Sequence, residues 1–394
     1  MPARPPLLRR PAGVALVVAG LAVLSTAAAV AVAPPSPSSS ARARTLQQQL
    51  DDLVGAPGGP PGVIAVLRDD RRTRVLRSGV AQTGTHRAPG TDDHMRIASA
   101  AKAFSGAVAL SLVSRGDLGL DDTLRQRLPK LPQAWGAVTV RQLLNHTSGL
   151  PDYIRAPAFQ KTVTADPHHR FDSRRLLDYV ADQPLRFRPG TRYQYSNSDN
   201  IAVALMAEAA TGTPYEKLLG QRVYGPLGLH DTSLPQDYRI PAPYLHGYDV
   251  DPPAAPQDVS ELLSASGIWA SGGIISTPAD VTRFVRGYTG GRLFAPRVAE
   301  EQRRWVTGAS EPAGPGRNDA GLGIFRYTTR CGVVLGHTGN MPGYTQLMAA
   351  TPDGRRSLTF GTTTQINEAQ KPDLLKRLRT VQENVVCELL HASS

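Results

Sequence analysis

Strand-like segments stand at the two ends of this chain and helical segments fill its middle, an order that limits the folds open to it. Gly62 to Leu67 is a short apolar run, Asp69-Asp70-Arg71-Arg72 makes a turn, and Thr73 to Val80 alternates back as in a β-hairpin. In the last third, Leu322 to Tyr327, Gly332 to Gly336, Thr345 to Ala350 and Arg356 to Thr362 read as strands, with a Pro352-Asp353-Gly354 turn between the last two. Helical periods fall between. One runs from about Ser99 to Ser114, with Phe104, Val108, Leu110 and Val113 on its apolar side. Others cover Thr139 to Asn145, Asp172 to Ala181, Ser198 to Ala210 and Pro214 to Val223. Thr213-Pro214 and Thr277-Pro278 are cap-plus-first-turn pairs, and Asp280 suits the dipole of the second helix. Helices at Thr45 to Val54 and Pro372 to Leu390 flank the whole. Strands cannot bury their apolar faces alone. The two ends are therefore expected to share one antiparallel sheet flanked by the terminal helices, giving an α/β domain of the α+β kind over about 45–391. Its sheet lobe takes about 45–98 and 320–391, an all-helical lobe of about 99–319 is inserted, and the cleft between them is the expected site.

The residues before this domain read as a leader. Arg4, Arg9 and Arg10 precede an uncharged apolar stretch from Val14 to Val32 that contains small-residue cleavage sites at Ala27-Ala28-Ala29 and Ala31-Val32-Ala33. Residues 1–33 are read as a signal peptide, or else an uncleaved anchor, and 34–44 as a flexible linker rich in Pro and Ser. A secreted or extracytoplasmic location follows. There a disulfide between Cys331 and Cys387 is favoured, with two buried free thiols the alternative. Removing residues 1–33 takes three arginines and lowers the formal charge from +11 to +8. No Lys/Arg run with interleaved aromatics accompanies that charge, so no nucleic-acid partner is expected. An anionic wall or membrane face suits it better. No H-E-x-x-H or C-x-x-C is present, so neither metal nor cofactor is expected.

Chemistry is carried by three separated groups. The first is Ser99-Ala100-Ala101-Lys102, where the i, i+3 spacing puts a hydroxyl and an amine on one helix face. A serine hydroxyl needs an adjacent base, and lysine can serve once burial lowers its pKa. Lysine is scarce here, six among 44 basic residues, and Lys102 lies between Ile97-Ala98 and Ala103-Phe104, where an unpaired ammonium would be costly. The second group is Tyr195-Ser196-Asn197, a phenol able to relay a proton and an amide able to hold a carbonyl. The third is His337-Thr338-Gly339, placed at the end of the Gly332 to Gly336 strand. There Gly339 would let a substrate approach the edge. His146 reads as a loop-fixing hydrogen bonder and Trp269 as a core aromatic. The absence of G-x-S-x-G argues against an α/β-hydrolase.

In this order the three groups resemble the S-x-x-K, Y-x-N and K-T-G or H-T-G pattern of the serine β-lactamase and D-alanyl-D-alanine carboxypeptidase family, in its H-T-G carboxypeptidase branch. Leu143-Leu144-Asn145-His146-Thr147-Ser148-Gly149-Leu150 and Ser276-Thr277-Pro278-Ala279-Asp280 are similar to further phrases of that family, and Asn200 departs from it where many members have Tyr. The resemblance implies a β-lactamase/transpeptidase-like fold and an acyl-enzyme on Ser99, with Lys102 and Tyr195 managing its proton. It implies Asn197 as a substrate-positioning group, the N–H groups of Ser99 and Asn340 as an oxyanion site, and Thr338 as a carboxylate contact. His337 is neutral at pH 7 if unperturbed, so Arg326, on the neighbouring strand, is the expected carboxylate clamp. The leading expectation is an exported monomeric D-alanyl-D-alanine carboxypeptidase acting on small peptides or peptidoglycan. A β-lactamase or esterase on the same machinery, and a non-catalytic envelope-binding module, are the alternatives.

Overall fold

The computed structural model describes residues 39–391, with side chains from Thr45 onward. The expected signal segment at 1–33 lies outside the described residues. Helix α1 spans Ser39–Val54, so the helix expected at Thr45 begins earlier, within the stretch read as linker.

Eight strands form one antiparallel sheet. They are β1 (Gly62–Arg68), β2 (Thr73–Gly79), β3 (Val306–Thr307), β4 (Arg317–Ala320), β5 (Phe325–Thr329), β6 (Gly332–Met341), β7 (Tyr344–Ala350) and β8 (Ser357–Thr362). Their order is β2-β1-β8-β7-β6-β5-β4-β3, so the strands from the two ends of the chain meet where β1 pairs β8. The sheet is covered on both faces, which is why β1 reads as a nearly unbroken apolar run. Successive side chains point to opposite faces. Ile64 and Val66 enter the core shared with the helical part, while Val63, Ala65 and Leu67 enter a second core under the terminal helices. Helix α5 (Pro372–His391) fills that second core with Leu378, Val381, Val385 and Leu389.

The inserted helices that frame the site are α2 (Ala101–Arg115), α3 (Asn197–Thr211) and α4 (Pro278–Thr289). Phe104 of α2 stacks on Phe284 of α4 with ring centroids 3.6 Å apart. Thr277 caps α4 by accepting from the Asp280 amide. Residues 173–180 form a 3₁₀ helix rather than an α-helix. Pro214 is itself the cap residue, and the helix it precedes passes into a π turn at Gly220–Tyr224.

A disulfide joins Cys331, just before β6, to Cys387 on α5 across 56 residues of chain. Replacing both cysteines by serine is expected to cost about 2–4 kcal/mol of stability. A fall of several degrees in the unfolding midpoint, measured by calorimetry, would show it. Activity at room temperature should survive, because Thr338 lies about 20 Å further along the strand. An unchanged midpoint would mean that the bridge constrains nothing.

Candidate active site

The Ser99 segment enters on a short two-strand pairing of Met95–Arg96 with Ile275–Ser276 and turns through a 3₁₀ step, Ala98–Ala100, before α2 begins at Ala101. Ala98 has φ +48°, a left-handed conformation that a non-glycine residue adopts at a cost. Lys102, on the first turn of α2, is only 1% exposed. Its Nζ donates to Ser99 Oγ at 3.0 Å, Asn197 Oδ1 at 2.7 Å and the Ser271 carbonyl at 2.7 Å. Burial pushes its pKa down to about 7, against the pull of Asp152, Glu311 and Asp199. Two of the three partners are oxygens without a proton. Once Lys102 is neutral, its two N–H bonds satisfy Asn197 and Ser271, and its lone pair faces the Ser99 hydroxyl.

Tyr195 arrives on the loop before α3, and Asn197 is the first residue of that helix. Tyr195 sits 5.0 Å from Lys102 Nζ by ring centroid and packs on His146 at 4.5 Å. Burial raises its pKa well above the tyrosine range, with the nearby Ser99 hydroxyl acting the other way, so it stays a neutral phenol whose hydroxyl has no hydrogen-bond partner among the described residues. His146 lies 2.7 Å by Nδ1 from Asp199 Oδ2, and its backbone holds Gln194. Burial drives its pKa to about 3, which keeps it out of proton transfer near neutrality. Asn197 Nδ2 donates to Asp152 Oδ2 at 3.0 Å, which turns Oδ1 toward Lys102. Asn200 donates to Ser105 Oγ at 2.7 Å and ties α3 to α2. Asp152 and the Ser271 carbonyl carry no motif and were invisible in the sequence. Trp269 is fully buried, with Nε1 donating to Glu216, and its φ of +30° precedes the turn that aims the Ser271 carbonyl.

The His337–Asn340 group lies inside β6, not past its end as expected. Strand β5 pairs with β6 only from Gly332 to Gly336, so the following residues present an edge with no strand partner on that side. The close approach attributed to a substrate at Gly339 is made by the protein itself: a Cβ there would lie 2.2 Å from the Ile97 carbonyl oxygen. Glycine thus seats the Ser99 turn against the strand edge. His337 is buried, pushed to about pKa 3 by burial and Lys102, with Nδ1 2.6 Å from the Thr338 carbonyl. Thr338 Oγ1 donates to the Pro312 carbonyl at 2.7 Å. The Asn340 side chain donates to Thr345 and the Ile366 carbonyl and accepts from Gln365, and Asn340 lines the crevice.

Arg326 corrects the expectation of a carboxylate clamp. Its guanidinium pairs with Asp319 at 2.8 Å and lies over the Trp305 ring at 5.1 Å, outside the crevice lining. The crevice, of about 970 Å³, brings together Ser99, Tyr195, Asn197 and Asn340. Ile154, Phe159, Phe171 and Leu263 give it an apolar wall, and Glu311 and Glu368 line it as well.

The family model described as Beta-lactamase matches residues 44–382. Penicillin-binding protein 4* of Bacillus subtilis (strain 168) is 25% identical over 296 residues, covering 72% of this chain and 63% of that protein. The chain thus spans under two thirds of the length of that relative. The D-alanyl-D-alanine-carboxypeptidase/endopeptidase AmpH of Escherichia coli (strain K12) is 28% identical over 312 residues, 75% of this chain and 77% of that protein. Among solved structures, the D-amino acid amidase of Ochrobactrum anthropi SV3 superposes with a TM-score of 0.77 at 25% identity, covering 90% of this chain and all of that one.

A Lys102 pKa near 7 fixes the pH response of Ser99. Below that value the amine is protonated and cannot take the hydroxyl proton; above it the lone pair is free. Acylation of Ser99 by an active-site-directed ester should rise about tenfold per pH unit below 7 and level off above it. A flat rate between pH 5 and 9 would remove Lys102 as the base.

Proposed function

This chain belongs to the Beta-lactamase family, and from that premise we propose that it is an exported serine hydrolase that opens amide bonds of D-amino-acid peptides through an acyl-enzyme on Ser99. The observation that carries the reading is the Lys102 nitrogen, 3.0 Å from Ser99 Oγ and poised near pKa 7. Neutral Lys102 takes the hydroxyl proton as Oγ attacks the carbonyl carbon. The oxyanion forms against the backbone N–H groups of Ser99 and Asn340. As the C–N bond breaks, the departing amine receives a proton from the Lys102 ammonium by way of the Tyr195 phenol. Water then attacks the Ser99 ester, gives its proton to Lys102, and the acid leaves as Oγ is reprotonated. The high pKa of Tyr195 supports its part as a neutral relay rather than a phenolate base.

Export is supported by the arginine-then-apolar order at Arg4 to Val32 and by the disulfide, which suits an oxidising compartment. The expected carboxypeptidase selectivity leaned on Arg326, which stands outside the crevice. That observation favours a second reading, amidase or aminopeptidase chemistry on the same nucleophile.

Intact-protein mass spectrometry with a β-lactam and with a fluorophosphonate tests the reading. A covalent mass shift that disappears in Ser99→Ala is expected. Lys102→Ala should slow acylation by on the order of 10²–10⁴-fold. A penicillin adduct that persists points to peptidase chemistry, and one that turns over points to a β-lactamase. No adduct with any reagent would leave only the binding module.

A further inference from the structure

We propose that Glu311 selects substrates that carry a protonated primary amine beside the scissile carbonyl, so that the preferred substrates are amides or peptides of a D-amino acid with a free amino end. The inference rests on the acyl-serine reading of Ser99 and names its substrate class.

A peptide that ends in a carboxylate needs donors and a cation near the nucleophile. The Thr338 hydroxyl, the donor nearest the expected place, is already given to the Pro312 carbonyl. The loop that takes it is pinned: the Tyr193 hydroxyl donates to the Ala309 carbonyl, and Ser310 Oγ lies 3.3 Å from the Tyr327 hydroxyl. Its one acidic side chain, Glu311, lines the same crevice as Ser99 and Tyr195 and acts electrostatically on Lys102 and Tyr195. The loop therefore occupies the Thr338 hydroxyl and brings a carboxylate to the crevice.

The negative character is only partly offset by neighbours. Asp152, whose side chain is 8% exposed, stands behind Asn197 and adds to it. Arg155 reaches both carboxylates, Glu311 at 3.8 Å and Asp152 at 4.0 Å, but 72% of its own side chain is exposed, and pairs of that kind hold weakly. Arg379, a cation on the crevice wall, is bonded to the Gly314 and Gly316 carbonyls. Partial burial and Asp152 raise the Glu311 pKa while Arg155 and Lys102 pull it down, and with 59% of its side chain exposed the carboxylate is open to a ligand entering the crevice. A substrate ammonium supplies counter-charge and a substrate carboxylate is repelled.

The test compares kcat/KM for D-alanine p-nitroanilide, which has a free amine, with its N-acetyl derivative. The wild-type protein should favour the free amine at least tenfold. E311Q should collapse that ratio by about ten- to a hundredfold, chiefly through KM, and E311D, which keeps the charge, should restore part of it. A ratio that E311Q leaves unchanged, or a wild-type preference for the acetylated substrate, overturns the proposal. Fluorophosphonate labelling of the wild type separates the two ways to fail. Absence of labelling sinks the acyl-serine reading itself. Labelled Ser99 with no turnover of either anilide, or with no free-amine preference, sinks the role of Glu311 alone.

Discussion

A buried ammonium must find an acceptor for each of its protons, and Lys102 imposes that demand on the centre of the molecule. Its three acceptors come from three places that are far apart in the chain: the Ser99 turn, the start of α3 and the Ser271 carbonyl. Each acceptor is held in turn. Asn197 is oriented by Asp152, the Ser99 turn is seated on Gly339, and Tyr153 donates to the Gly267 carbonyl in the turn that carries Ser271. One nitrogen thus links the sheet edge to both sides of the helical part. The same burial that makes the ammonium costly lowers its pKa to about 7 and makes it useful as a base.

Backbone strain gathers around that nitrogen. Among the described residues, the non-glycine residues with positive φ are Ala98, His146 and Trp269. Ala98 precedes Ser99, His146 packs on Tyr195, and Trp269 begins the turn that carries the Ser271 carbonyl. Conformations of this kind cost of order 1–3 kcal/mol each and persist only where the surroundings over-determine them. A sheet buried on both faces supplies such surroundings, with Ile64 and Val66 on one side and Val63, Ala65 and Leu67 on the other. Strain next to Ser99, Tyr195 and Lys102 is consistent with side chains aimed by the fold rather than by their own preferences.

Local signals were legible where the chemistry is local. The apolar run of β1, the alternation of β2, the Pro352-Asp353-Gly354 turn between β7 and β8 and the Thr277 cap need only near neighbours. Strand β6 runs on past Gly336 to Met341, and the space left by the missing side chains of Gly336 and Gly339 is filled by the Met348 and Ile97 carbonyls, which no local pattern announces. Strands β3 and β4 were missed, being short and polar at Arg317-Asn318-Asp319. The strand position of Arg326 is legible in the sequence, but Asp319 and Trp305, which engage its guanidinium, belong to other segments.

The sequence by itself determined the sheet at the two ends with helices between, the Ser99–Lys102 spacing on one helix face, and the three motifs in family order. These follow from periodicity and residue type, which are properties of neighbours along the chain. Only the tertiary structure decided which atoms satisfy Lys102, that the Thr338 hydroxyl is occupied by the Pro312 carbonyl, and that Glu311 rather than Arg326 lines the crevice. Those outcomes depend on hydrogen bonds and charges between segments tens to hundreds of residues apart, and a linear pattern carries no record of which distant group reaches a buried donor first.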